Sequence, residues 1–150
     1  MGHSTHALFY ANKGLVMVEA TPRKTCTDSP PGQFLKGIRE FNQREWYECH
    51  ETVEELWMGA RGEVRHLYQG IIQISVALHH WRNGNFVGAV SLLESGADYL
   101  RQVPEGCLWV DVSALIGDAL RFRDVLLTLG PEEQHTIDQQ LVPLIATCSL

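Results

Sequence analysis

The densest set of side chains able to do chemistry lies between Glu45 and Met58, where Glu48, His50, Glu51, Glu54 and Glu55 are interleaved with Trp46, Tyr47 and Trp57. His50 and Glu54 stand four residues apart, one helical turn, so on a helix they face each other. An imidazole and a carboxylate at that spacing can chelate a divalent metal ion, with Glu51 or His80 as a further ligand. They can equally work without metal, a carboxylate at an apolar margin acting as general base with His50 as its partner. Their third use is architectural, as acceptors and donors that fix the register of two packed helices. The string His50-Glu51-x-x-Glu54 lacks the second histidine of the zinc-protease signature, and one Glu63-x-x-His66 pair is short of the two that a di-iron bundle needs. No G-x-S-x-G elbow and no glycine-rich phosphate loop occur in the chain.

On a wheel of about 100° per residue, Trp46, Cys49, Val53, Leu56 and Trp57 form one apolar sector with His50 and Glu54 at its edge. Glu51 is adjacent, while Glu48 and Glu55 fall towards the opposite side. Further along, Gln69, Gln73 and His80 project from an otherwise apolar helix in a stripe about 40° wide, with His66 beside them. Buried amides and imidazoles need partners. The simplest arrangement sets these two helices antiparallel, with His50, Glu51 and Glu54 facing Gln69, Gln73 and His80, and Trp57 shielding the end of the stripe. His79 falls with Tyr68 and Ile72 and reads as a packed histidine.

The elements that must position these residues are helices. Phe34, Leu35, Ile38 and Phe41 have helical spacing and predict a helix from about 33 to Asn42. Asn42, with Glu45 three residues on and Phe41 and Trp46 as a hydrophobic staple, predicts the cap of a second helix over 43–58. Gly59–Gly62 breaks it, and Val64–Trp81 predicts a third, buried helix ended by Asn83-Gly84. Asn85 predicts the cap of a fourth, and Asp111 or Ser113 that of a fifth, closed by Gly130-Pro131. Residues 132–146 predict a short sixth helix interrupted by Pro143. Short connections favour antiparallel neighbours.

The chain has 150 residues, 45% hydrophobic and 20% charged, with 12 Lys plus Arg against 18 Asp plus Glu. That length supports one ordinary core. Seven Glu between 40 and 63 against Arg44 and Arg61 hold five of the six excess negative charges. An acidic balance argues against nucleic acid as a partner, and no apolar run approaches the roughly 18 residues of a membrane span. Cys26, Cys49, Cys107 and Cys148 show no zinc or C-x-x-C spacing and read as reduced thiols. The start, Met1 to His6, lacks the pattern of a secretory signal. Both features predict a cytoplasmic location. Residues 1–32 read as an N-terminal arm and linker, either extended or a hairpin around Asn12-Lys13-Gly14, and 33–150 as one helical domain.

The ordered set Phe41-Asn42, Trp46-Tyr47-Glu48-Cys49-His50-Glu51, Glu54-Glu55-Leu56-Trp57, Gln69-Gly70-Ile71-Ile72-Gln73 and Gly84-Asn85 with Gly88 resembles the family called domain of unknown function 309, over roughly residues 34–101. The resemblance implies a small all-helical protein, bacterial, archaeal or plastid-type in range, with no established activity. It also implies that Glu48, His50, Glu51, Glu54, Trp57, Gln69, Gln73 and Asn85 are the characteristic positions. Cys49 and Ser75 stand where that pattern commonly has Ala.

The expectation is therefore an all-α antiparallel bundle of about five helices. Its His50, Glu51, Glu54, Trp57, Gln69, Gln73, His80 and Glu48 form a polar cluster in an interaction or structural module that self-associates and needs no cofactor. The alternative is a metal-assisted or acid–base hydrolase using His50 and Glu54, with Glu51 as a further ligand to a divalent ion.

Overall fold

The computed structural model describes residues 5–11, 14–20 and 24–148, and the first two of these stretches pair antiparallel as Thr5–Ala11 (β1) and Gly14–Ala20 (β2), Leu8 opposite Met17. Of the two forms expected for the arm, the backbone takes the hairpin; its connecting residues Asn12 and Lys13 lie outside the described residues. Pro30-Pro31 then leads into α1 (Gly32–Asn42), whose buried Phe34, Ile38 and Phe41 repeat at helical spacing. It is followed by α2 (Trp46–Gly59), α3 (Gly62–Arg82), α4 (Phe86–Leu100) and α5 (Val112–Leu129). The protein is thus essentially all-α, with each helix packed on the next in chain order and α3 at the centre.

The turns joining α1 to α2 and α3 to α4 share one architecture. After α3 the amide of Asn85 donates to His80 O at 2.8 Å and that of Gly84 to Trp81 O at 3.0 Å, with Gly84 left-handed at φ 81°. After α1 the same two bonds run from Glu45 to Glu40 O at 2.9 Å and from Arg44 to Phe41 O at 3.0 Å. Both are Schellman closures, which satisfy carbonyls at a helix end through a left-handed residue. At α1 that residue is Arg44, φ 63°, not a glycine. Its guanidinium is held by Gln139, Nη1 donating to Oε1 at 2.6 Å, which offsets the roughly 1–2 kcal/mol that a side chain costs in this region.

This closure corrects the expected start of the second helix. Asn42 is the last residue of α1 and caps nothing in α2, which begins at Trp46 without a side-chain cap. Its amide instead grips Ile145, Nδ2 donating to the carbonyl at 3.0 Å and Oδ1 accepting from the amide at 2.8 Å. The sixth helix does not form either. Residues 134–136 and 139–141 make single 3-10 turns, and the chain then runs extended until Val110 bridges Thr147. Pro143 removes a helical donor, and Asn42 takes the Ile145 amide that a helix needs. The caps expected at Asn85 and Asp111 are present, accepting from Gly88 N at 3.0 Å and Ala114 N at 3.1 Å.

The core is one cluster spanning all five helices and the segment 107–110. Trp81 is its pillar, edge-on to Trp46 and Phe122, its Nε1 donating to Gln134 O at 3.0 Å. α3 and α4 approach closely through Gly70 and Gly96. A Cβ on Gly96 would lie 2.7 Å from Ile74 Cγ1 and 3.1 Å from Gly70 O. Cys49 is buried as expected, against Ser75, and burial pushes its thiol up to about 12. Ser75 Oγ donates back to Ile71 O at 2.6 Å.

Two cysteines depart from the expected reduced state. Cys26 and Cys107, 81 residues apart, are joined in a disulfide. The linker folds back along the 107–109 segment, where Leu108 N donates to Cys26 O at 3.0 Å, a pairing that no local spacing announces. Among the described residues no helix is long and apolar enough to cross a membrane.

Candidate functional site

His50 and Glu54 meet as their spacing predicts, Nε2 to Oε2 at 2.9 Å along α2. Tyr47, one turn earlier and half exposed, lies with its ring 5.7 Å from that of His50 and 5.6 Å from that of His79 on α3. His79 and His80 are themselves neighbours at 6.4 Å. The α2–α3 seam therefore carries a carboxylate, an imidazole, a phenol and two further imidazoles in sequence.

The hydrogen bonding of this seam is incomplete. His79 Nε2 lies 3.1 Å from Asn83 Nδ2, and His80 Nδ1 lies 3.3 Å from Asn85 Nδ2, so each ring nitrogen accepts from an amide in the turn that follows. The Nδ1 atoms of His50 and His79 are buried and have no partner among the described residues. Burial, then the positive charge of Arg82 and the neighbouring His80, holds the His79 imidazole below its ordinary pKa, with Glu48 pulling the other way. With Nε2 accepting from Asn83, the proton of a neutral His79 ring sits on Nδ1, a buried donor without a partner among the described residues.

The remaining expected residues go elsewhere. Gln73 accepts from Ser95 on α4, so its amide ties α3 to the helix on its far side. His66 pairs its ring with Tyr99, also on α4, at 6.1 Å. Trp57 packs at the core margin under the Arg65 guanidinium, 4.1 Å above its ring. Gln69 is partly buried on α3. Glu48 and Glu51 face α1: with Glu55 and Thr52 they line a cavity of about 660 Å³ whose other wall is Gln33, Lys36, Arg39 and Glu40. Gln33 Nε2 spans it, donating to Thr52 O at 3.0 Å and Glu55 Oε2 at 2.8 Å. The proposed ligand trio His50, Glu51 and Glu54 is thus split between two seams. Among the described residues no group of three or more His, Cys, Asp or Glu is placed to hold one metal ion.

Sequence reasoning gave Tyr47 and the α1 wall no role in the site and read His79 as packed, whereas its partly buried ring lies beside Tyr47 in the seam. The signal for the wall is the matched spacing of Glu48, Glu51 and Glu55 against Gln33, Lys36 and Glu40, two polar stripes at i, i+3, i+7 on consecutive helices.

Five helices around one core define a small helical-bundle protein. Residues 34–92, from α1 into α4, match the family described as "Domain of unknown function (DUF309)". The chain is 36% identical over 73 residues to an "Uncharacterized protein YpuF" of Bacillus subtilis, covering 47% of this chain and 42% of that protein. It is 32% identical over 63 residues to an uncharacterized protein of Aquifex aeolicus, covering 41% of this chain and 17% of the relative. The chain thus spans less than half the length of either relative.

Proposed function

We propose that this chain is a structural and interaction module in which residues 33–150 form the folded domain and residues 1–32 an appended arm. The observation that carries this reading is where the polar side chains spend their hydrogen bonds. Gln33 joins α1 to Glu55 of α2, Gln73 of α3 joins Ser95 of α4, and His80 joins the Asn85 cap of α4. Each contact links neighbouring elements and selects one register between them. Glu48 and Glu51 line the α1–α2 cavity, His50 pairs with Glu54 on the α2–α3 seam, and Trp57 and Gln69 are partly buried beside the core. The partner is protein, a second copy of this chain in the simplest case, since a net charge of −6 disfavours phosphate backbones. The location we propose is cytoplasmic, and the Cys26–Cys107 disulfide withdraws the reduced-thiol support for it, since disulfides are rare there.

The test is light scattering coupled to size exclusion, with thermal melting, on the native chain and on His50→Ala, Gln73→Leu and Glu48→Gln. The module reading expects an oligomer, with Gln73→Leu, which loses its part-buried bond to Ser95, melting lower by about 1 kcal/mol of stability. A monomer at all concentrations with unshifted melting in every variant overturns it.

A second reading, acid–base hydrolysis at His50 and Glu54, is favoured by the unpartnered Nδ1 atoms beside exposed Tyr47. It expects turnover of simple ester or phosphoester substrates that falls at least 100-fold in His50→Ala, with the fold retained.

A further inference from the structure

Three of the four cysteines converge on one place. Cys26, Cys107 and Cys148 all line a cavity of about 330 Å³, floored by Trp109 and edged by Pro104 and Glu105. Two of them are already bonded to each other, and Cys148 is an exposed free thiol. The backbone explains the convergence. The segment 107–109 is flanked on one side by Cys26, whose carbonyl accepts from Leu108 N at 3.0 Å, and on the other by Cys148, whose amide donates to Trp109 O at 2.6 Å. The bridge Val110–Thr147 and the bond from Asp111 N to Ala146 O at 2.9 Å set Cys148 alongside the loop that carries Cys107.

That loop is held in an unusual conformation. Gly106, Leu108 and Trp109 all have left-handed φ, at 79°, 46° and 71°, and the last two carry side chains that rarely adopt it. Such a segment persists only where its surroundings over-determine it. Here the Cys107 tether, the buried Leu108 side chain and the Cys148 strand do so together.

We propose that this cavity is a thiol–disulfide exchange site, with Cys148 as the attacking thiol and Cys26 as the sulfur attacked. Cys26 is the partly exposed member of the disulfide and Cys107 the buried one, so a nucleophile entering from the cavity reaches Cys26 first. Cys148 gives its proton to solvent, its thiolate bonds to Cys26 Sγ, and the Cys26–Cys107 bond breaks with its electron pair on Cys107. Cys107 takes up a proton and becomes a buried neutral thiol, a state cysteine occupies readily. One disulfide and one thiol enter and one of each leaves, so no external oxidant or reductant is consumed. The linker before α1 is thereby handed from the 107–109 loop to the strand at 146–148.

The experiment uses the full oxidised chain near pH 8, because the thiolate is the attacking form in exchange. Samples are quenched in acid, alkylated, digested without reductant and mapped by mass spectrometry. The native chain is expected to yield a Cys26–Cys148 peptide with Cys107 alkylated, beside the major Cys26–Cys107 peptide. Cys148→Ser is expected to yield Cys26–Cys107 alone. Cys107→Ser, treated with oxidised glutathione, is expected to close Cys26–Cys148 within one chain. Cys148 alkylated in full in every native sample, or paired only between chains, overturns the proposal. The native-chain result decides even if Cys107→Ser fails to fold.

Discussion

Asn42→Ala and Asn42→Asp together separate two roles for one residue. In the structure the Asn42 amide uses both ends on Ile145, donating to its carbonyl at 3.0 Å and accepting from its amide at 2.8 Å. Each bond is partly buried and contributes about 0.5–1.5 kcal/mol net, so removing both costs about 1–3 kcal/mol. For a chain of this size that lowers Tm by about 2–12 °C. Asp keeps the acceptor for Ile145 N but sets a carboxylate against the Ile145 carbonyl, so Asn42→Asp is expected to fall at least as far as Asn42→Ala. Had Asn42 capped α2, Asp would serve as well as Asn, and Asn42→Asp would melt with the native chain. Urea and thermal denaturation followed by circular dichroism measure both variants, and hydrogen exchange at Ile145 reports the contact itself. Native stability in Asn42→Asp beside a loss in Asn42→Ala refutes the tether and restores the cap.

Gly96→Ala places a methyl 2.7 Å from Ile74 Cγ1 and 3.1 Å from the Gly70 carbonyl, which is backbone and yields little, so it is expected to cost about 1–3 kcal/mol by denaturant titration. His79, whose folded pKa is depressed chiefly by burial, binds its proton more readily unfolded. Its contribution is therefore complete above the unfolded value near 6.5 and is lost as pH falls through the folded value. The urea midpoint is expected to drop as pH falls below about 6.5, and to drop less in His79→Gln. Cys26→Ser opens a closure of 81 residues and is expected to lower stability by about 4 kcal/mol, less any strain the bond holds, as read by melting in the absence of reductant.

Local periodicity and local stop signals explain what was legible. Phe34, Ile38 and Phe41 define the buried face of α1 without reference to any neighbour, and Gly84, Asn85, Asp111 and Gly130 mark helix ends through their own conformational preferences or side-chain bonds. The His50–Glu54 pair belongs to the same class, because i and i+4 meet on any helix. The start of α2 was misplaced because Asn42 and Arg44 take their conformations from Ile145 and Gln139, about a hundred residues away. The segment 132–146 read as helical in isolation, yet Asn42 and the Val110–Thr147 bridge draw its end into an extended run.

By itself, then, the sequence determined which residues turn inward on each helix, where most helices stop, and that polar side chains line the edges of the second and third. Those follow from the 3.6-residue period and from single-residue preferences, which act over one or two turns. Only the tertiary structure decided what each polar edge meets. A wheel assigns a direction but not the neighbour that occupies it, so Glu48 and Glu51 found α1, Gln73 found Ser95, and Tyr47 joined His50 to His79. The disulfide was decided the same way. Cys26 and Cys107 become neighbours only after the linker lies down along the 107–109 loop, with Cys148 brought to the same cavity by the strand that follows Asn42's hold on Ile145.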